Sequence, residues 1–181
     1  MKKILAISGV GFCCMASPVA GEVRQASAEG FVSENRASVA ASPSGVWAAL
    51  VNPASWWNGE HSWSTDADNF SLDPRAGGCF CETIPAAEGR QAGSVEHMRV
   101  INAVPGQQLR MVGALGPLQG EALQAVLTID LQAEGEGTAI SFTYVVGGYA
   151  RYPLEQLAPA VDSVMSEQLM RLGNLLESGT P

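Results

Sequence analysis

Five residues with chemistry-bearing side chains crowd into two short stretches. AGGCFCETI (76–84) carries Cys79, Cys81 and Glu82, and VEHMRV (95–100) carries Glu96 and His97. In an extended strand, positions two apart share a face at about 6.6 Å, close to the upper limit of about 7 Å between Cα atoms for a disulfide. A Cys79–Cys81 bridge therefore needs the strand to bulge near Gly77 and Gly78. A metal site needs three or four ligands, and a nucleophilic cysteine needs a base beside it. For either role His97 is the only histidine downstream of the cysteines. Four readings stay open: apolar lining of the interior, a redox pair, metal ligands and a nucleophile. Lining is the favoured one, and no metal site and no cofactor are expected.

The acid–base candidates depend on which way their strands face. Glu96 shares its parity with Met98, Val100 and Val104, the more apolar set, which predicts that Glu96 points inward and that His97 and Arg99 point to solvent. A mixed polar cavity would instead take His97. Glu82 shares its parity with Phe80 and Ile84, either as a second inward carboxylate or, the favoured expectation, as a surface glutamate at a strand edge. Two buried carboxylates would be the clearest sign of an enzyme.

The chain begins MKKILAISGVGFCCMASPVAGEV, with two lysines, a short apolar run and then small residues around 16–21. That is the pattern of a secretory signal over residues 1–21, cleaved after Ala20 or Gly21, and the run falls short of the about 20 residues a spanning helix needs. Cleavage removes both lysines together with Cys13 and Cys14. It leaves eight arginines against 18 acidic residues and moves the formal net charge from −8 to −10. A lysine-free acidic chain is a poor match for nucleic acid or an anionic membrane, whose binding rests on cationic side chains. The expectation is a periplasmic or secreted protein with no integral membrane segment in the mature chain.

The remaining elements read as one domain of ordinary size. Residues 22–30 lack periodicity and large apolar side chains and are expected to form a flexible arm. A strand at 31–39 is followed by SPSGVWAALVNPASWW, where Ser42 can cap a helix, Pro43 suits its first turn and Asn52-Pro53 ends it. A second short helical turn is expected at 54–57. Strands then follow at 70–72, 79–84, 95–104 and 108–115. In EALQAVLTIDLQ and TAISFTYVV, Leu123, Ala125, Leu127, Ile129 and Leu131, and then Ile140, Phe142, Tyr144 and Val146, each fall on a single parity. From about 159 to 176 the apolar residues recur at helical spacing, which predicts one long amphipathic helix.

Other stretches are less specific. WWNGEHSWSTDADNF gathers Trp56, Trp57, His61, Trp63 and Phe70 around a polar loop, either as a cavity mouth or as packing that pins the short helices. DADNFSLD lacks the central glycine and final glutamate of a calcium loop. GALGPLQG (113–120) has no following helix or lysine, so it is not a phosphate cradle; its glycines let a loop pass close to the long helix or leave room for a ligand.

The order of strand, helix pair, further strands and long closing helix resembles the START-like helix-grip superfamily, which includes polyketide cyclases, plant pollen allergens and activators of a heat-shock chaperone ATPase. SPSGVWAALVNPASWW, DPRAGGCFCETI and HMRVINAVPGQQLRMVGALGPLQG carry the resemblance. It implies an α+β domain over 31–178: a curved antiparallel sheet of about six to seven strands gripping a long C-terminal helix, with two short helices after the first strand. It also implies a mostly apolar cavity between sheet and helix and no shared catalytic motif. The lining expected of such a cavity is Trp57, Trp63, Cys79, Cys81, Met98, Met111, Phe142, Tyr144, Val161 and Met165. On this reading the protein is an exported binder of a small hydrophobic molecule such as a lipid or polyketide. The alternatives are a cyclase- or hydrolase-like enzyme using Glu82, Glu96 or His97, and a protein-binding module.

Overall fold

The clearest strand pattern in the sequence forms the middle of the sheet. In the computed structural model, which describes residues 17–181, strands β7 (Ala122–Glu134) and β8 (Gly137–Tyr149) pair antiparallel over their whole length. Leu127 lies opposite Tyr144, Ile129 opposite Phe142 and Leu131 opposite Ile140, all buried. Cross-strand apolar pairs of this kind stabilise a sheet by roughly 0.2–1 kcal/mol each. Gly135, in the two-residue connection, takes a left-handed φ of 60°, which a glycine accepts without steric cost.

The other strands are β1 (Ser17–Ser27), β2 (Gly30–Val39), β3 (Phe70–Leu72), β4 (Cys79–Ile84), β5 (Gly93–Val104) and β6 (Gln108–Val112). All neighbours are antiparallel, in one eight-stranded sheet of order β1-β2-β8-β7-β6-β5-β4-β3. This is the expected α+β architecture with one strand more than expected, and that strand is β1.

Residues 22–30, expected as a flexible arm, instead lie largely in β1 and its turn into β2, with Glu22 opposite Glu34 and Ala26 opposite Phe31. An edge strand is held by backbone hydrogen bonds and needs little apolar bulk, which is why composition gave no sign of it. Its charges suit an edge: Arg24 bonds Glu34 at 2.8 Å. Gly21 has a packing role as well, because a Cβ there would run into Asn35 Oδ1 and come within 3.2 Å of Asp162 Oδ2. Most of the expected signal, residues 1–16, lies outside the described residues, and the expected cleavage points fall within β1.

Helix α1 (Pro43–Leu50) starts as expected: the Ser42 hydroxyl accepts from Gly45 N–H, Pro43 opens the first turn, and Val46 and Leu50 are buried. A 3₁₀ turn, Pro53–Ser55, is the second short helix, and it delivers Trp56 and Trp57 into the core.

The closing helix α2 (Leu154–Ser178) starts five residues before the expected position and carries Pro159 inside it. Proline there removes one helical hydrogen bond, yet Leu154 and Ala158 are fully buried, so packing of the first turn outweighs that loss. Gly179, at φ 78°, caps the other end by donating to Leu175 O. At 1.5 Å per residue the helix is about 37 Å long. It approaches the sheet most closely at β1 and β2 and buries Met165, Leu169 and Leu172. Among the described residues, no helix is long and apolar enough to cross a membrane.

Candidate functional site

A β-bulge decides which side chains face the interior. Along β4 and β5, Phe80 pairs with Met98 but Cys81 pairs with Glu96, so His97 is one extra residue on β5. Such an insertion reverses the alternation from that point on. His97 and Met98 therefore both face inward, 4% and 1% exposed, while Glu96 faces out and pairs with Arg99 at 2.7 Å. The expectation that Glu96 points in and His97 points out is thus reversed, because unbroken parity cannot anticipate a bulge.

His97 meets Glu82. Glu82 is 1% exposed on β4, and its carboxylate lies 2.9 Å from His97 Nε2. It also accepts from the backbone N–H groups of Trp63 and Ser64. Burial by itself would raise the Glu82 carboxyl, but the hydrogen bonds from Ser64, Trp63 and His97 together outweigh it and hold the group below the usual carboxylate range. Burial lowers His97, and Glu82 offsets this only in part. The pair is therefore a carboxylate beside a neutral imidazole. A carboxylate cannot donate, so Nε2 carries the proton and Nδ1 keeps its lone pair. Nδ1 has no hydrogen-bond partner among the described residues. The rings of Phe70 and Phe80 lie 5.1 and 5.2 Å from the imidazole.

The loop that grips Glu82 is constrained locally. Thr65, directly after the two donor amides, has a φ of 58°, uncommon for a β-branched residue. Lower in the same loop, His61 Nε2 lies 3.0 Å from Glu167 of α2, and Asn58 donates to the other oxygen of that carboxylate. Asn58 N–H also donates to Gln168 Oε1 at 2.8 Å, so the loop is tied to the helix as well as to the sheet.

Between this loop, α2 and the 113–121 connection lies a cavity of about 410 Å³. Trp57, Trp63, Leu115, Leu118, Val161 and Met165 supply much of its apolar wall, and both histidines of the chain open onto it. His97 is deeply buried, whereas Trp63 and Tyr152 are each 55% exposed and flank the open side. The 113–121 connection is held to β5, β7, β8 and Arg151, with Gln119 donating to Glu96 O and Gly113 N–H to Ala125 O. The Tyr144 hydroxyl accepts from Leu115 N–H at 2.9 Å, and Glu121 binds the Arg151 guanidinium and backbone N–H. The Arg151 bonds hold Glu121 below the usual carboxylate range, and burial pushes the Tyr144 phenol well up.

Residues 40–177 match the model of the family described as activator of Hsp90 ATPase homolog 1-like protein. The chain belongs to this family.

Its fold recurs in solved structures of low sequence identity. The solution structure of CalU16 from Micromonospora echinospora is 17% identical, with 95% of this chain and 80% of that one covered and a TM-score of 0.57. Protein CV1439 from Chromobacterium violaceum is 21% identical, with coverage of 81% and 96% and a TM-score of 0.56. A protein from Rhizobium leguminosarum is 20% identical, with coverage of 90% and 97% and a TM-score of 0.56. At these identities the likeness is one of fold, the START-like helix-grip fold. No curated protein matches the chain.

Within this activator-like domain, the expected cavity residues separate into three groups. Trp57, Trp63, Val161 and Met165 line the cavity. Met98, Met111, Phe142 and Tyr144 are buried in the core but are not on its wall; Met111 borders only a separate void of about 10 Å³. Cys79 and Cys81 are not lining at all. They alternate with the buried Phe80 and Glu82, lie half-buried on the opposite face of β4, and are joined in a disulfide. Their Cα atoms are 5.4 Å apart, shorter than a fully extended strand gives, at the place where the ladder is bulged.

Sequence reasoning missed Glu167, Leu118 and Leu157 as neighbours of the site, while His61, in the loop read as a cavity mouth or as packing, lies on the cavity wall. GALGPLQG, expected to pass close to the long helix or to leave room for a ligand, forms part of the cavity wall with Leu115, Gly116, Pro117 and Leu118. Nothing local marked the His61–Glu167 pair, which joins positions 106 residues apart. Among the described residues, no cluster of three or more His, Cys, Asp or Glu side chains could hold a metal ion.

Proposed function

We propose that this protein is exported and binds a small, mostly apolar molecule in the cavity between α2 and the 57–63 and 113–121 segments. The observation that carries the reading is the cavity itself: about 410 Å³, walled by indole, leucine, valine and methionine side chains, with a few polar groups at defined places. Ligand sites are typically about 300–1,000 Å³, with apolar walls for affinity and few polar groups for orientation. Each Å² of apolar ligand surface removed from water contributes about 25 cal/mol. Export is supported by the leader-like opening of the sequence and by the Cys79–Cys81 disulfide, a bond favoured in oxidising compartments.

Equilibrium titration with an apolar fluorescent dye, followed by displacement with a lipid extract, tests the binding. Saturable binding that quenches Trp57 and Trp63 and is lost in Val161→Trp, where an indole would occupy the cavity, is the expected result. Undiminished binding in that variant, or no binding by the native chain, contradicts it. Mass spectrometry of protein recovered from the cell envelope tests export: a chain shortened near residue 21 is expected, and a full-length cytosolic chain contradicts it.

A second reading, an enzyme, is favoured by one observation, the His97 side chain lining the cavity while Glu82 binds its Nε2.

A further inference from the structure

The Glu82–His97 pair is more elaborate than a structural latch requires. To satisfy a buried carboxylate that already accepts two backbone N–H groups, a serine or asparagine would be enough. Here β5 carries an extra residue, and that residue is an imidazole placed where its ring reaches the cavity wall. Bulges that re-aim a side chain are over-represented next to active sites.

We propose that this pair is a catalytic base: His97 Nδ1 removes a proton from a carbon next to the carbonyl of an apolar ketone bound in the cavity, with Glu82 as the positioning residue. The proposal rests on the ligand-binding reading and adds to it a substrate class and a reaction. The C–H electron pair moves into the adjoining C–C bond, the carbonyl π pair moves onto oxygen, and the proton goes to Nδ1. An enolate and an imidazolium result, and the imidazolium is stabilised through its Nε2–H by the Glu82 carboxylate. Return of the proton from Nδ1 to the same carbon, or to the far end of a conjugated system, gives back the ketone or its double-bond isomer. No oxidant or co-reactant enters. Tyr152 lines the same cavity, and its hydroxyl is the donor available to the enolate oxygen, whereas His61 Nε2 is taken up by Glu167.

A ketone with a hydrogen on the carbon next to its carbonyl supplies the proton itself, so the base needs no protein nucleophile to activate. Among the described residues, the Ser62 hydroxyl lines the cavity but donates to Gly59 O at 2.7 Å, and Cys79 and Cys81 are joined in a disulfide on the other face of β4. The titratable groups that share the cavity with His97 are Glu60, His61, Glu121 and Tyr152, with Glu82 against its Nε2; the α2 wall, Leu157, Ala160, Val161, Val164 and Met165, contributes none.

The test uses 2-tetralone in D₂O with the native chain, His97→Gln and Glu82→Gln, following deuterium incorporation next to the carbonyl by NMR and binding by tryptophan fluorescence. The native chain is expected to accelerate exchange by about 10²-fold or more, the usual contribution of a positioned base. His97→Gln should still bind tetralone saturably and lose that acceleration. Glu82→Gln should bind, exchange about tenfold more slowly, and show its pH midpoint moved to lower pH, since the carboxylate that favours the imidazolium is gone; a merely structural role would not move the midpoint. If either variant fails to fold, the ¹⁵N spectrum of the native histidines decides, with His97 expected to carry its proton on Nε2 at neutral pH and its Nδ1 resonance to shift on ligand addition. Binding of tetralone by the native chain without acceleration over His97→Gln, or a proton on His97 Nδ1, overturns the base and leaves the ligand reading standing. No binding of tetralone by a chain that still binds the apolar dye overturns the ketone proposal alone, and binding of neither overturns both.

Discussion

Cys79 and Cys81 are joined on one face of β4 directly opposite the point where β5 carries His97 as its extra residue on the other. The disulfide shortens β4 to a Cα separation of 5.4 Å at the same place where β5 is longer by one position. Bridge and bulge therefore occupy one local distortion of the ladder, and the inward turn of His97 belongs to it.

Reduction of the bridge, or Cys81→Ser, should leave the protein folded, because the ring it closes is very short and loop-closure arguments give such a ring only about 1–2 kcal/mol. The effect should concentrate at the bulge. Histidine ¹⁵N spectra of oxidised and reduced protein are expected to differ at His97 and coincide at His61. Identical His97 signals would separate the disulfide from the bulge.

Acid should weaken the fold in two steps. His97 has a folded-state value below its unfolded 6.5, so the unfolded chain takes up the proton first as pH falls. Its contribution is complete above about pH 6.5 and is lost as pH drops through the folded value. Glu82, Glu34, Glu121 and Glu167 are all held below 4.5 and add a second loss as pH falls through their folded values. Denaturant midpoints from pH 8 to pH 3 are expected to fall in both windows for the native chain and only in the lower one for His97→Gln. Greater stability at pH 5.5 than at pH 8 would contradict this.

The bulge is also braced from β6's side. Gly113, just past that strand, has a φ of 148°, and a Cβ there would press on the His97 carbonyl oxygen and approach Met98 Cα to 2.9 Å. Gly113→Ala should cost about 1–3 kcal/mol in chemical denaturation, the usual range for a backbone forced into a sparsely populated region, and should broaden the His97 signals. A variant as stable as the native chain would show that the bulge yields freely.

Much of the frame could be read from residue patterns, and the failures have physical causes. In β7 and β8 strict alternation reports a one-sided strand, and Ser42-Pro43 reports a helix start because capping chemistry is local. β1 was not legible, because an edge strand rich in small and charged residues is held by its backbone. Pro159 was misleading as a helix start, because tertiary burial of Leu154 and Ala158 overrides its local cost. At the site, the alternation of Glu96, Met98 and Val100 reads as unbroken, and one inserted residue inverts its meaning for His97. Glu82 shared a parity with Phe80, but only the fold supplies the two loop amides that make its burial tolerable.

The central claim is that a small apolar molecule sits in the cavity against His97. The most direct measurement is the set of intermolecular NOEs from bound, unlabelled 2-tetralone to the isotope-labelled protein. The account predicts contacts to the His97 ring, the Val161 methyl groups and the Met165 methyl, with none to residues on the outer face of β4. Saturating binding whose contacts lie elsewhere on the surface and never reach His97 would contradict it.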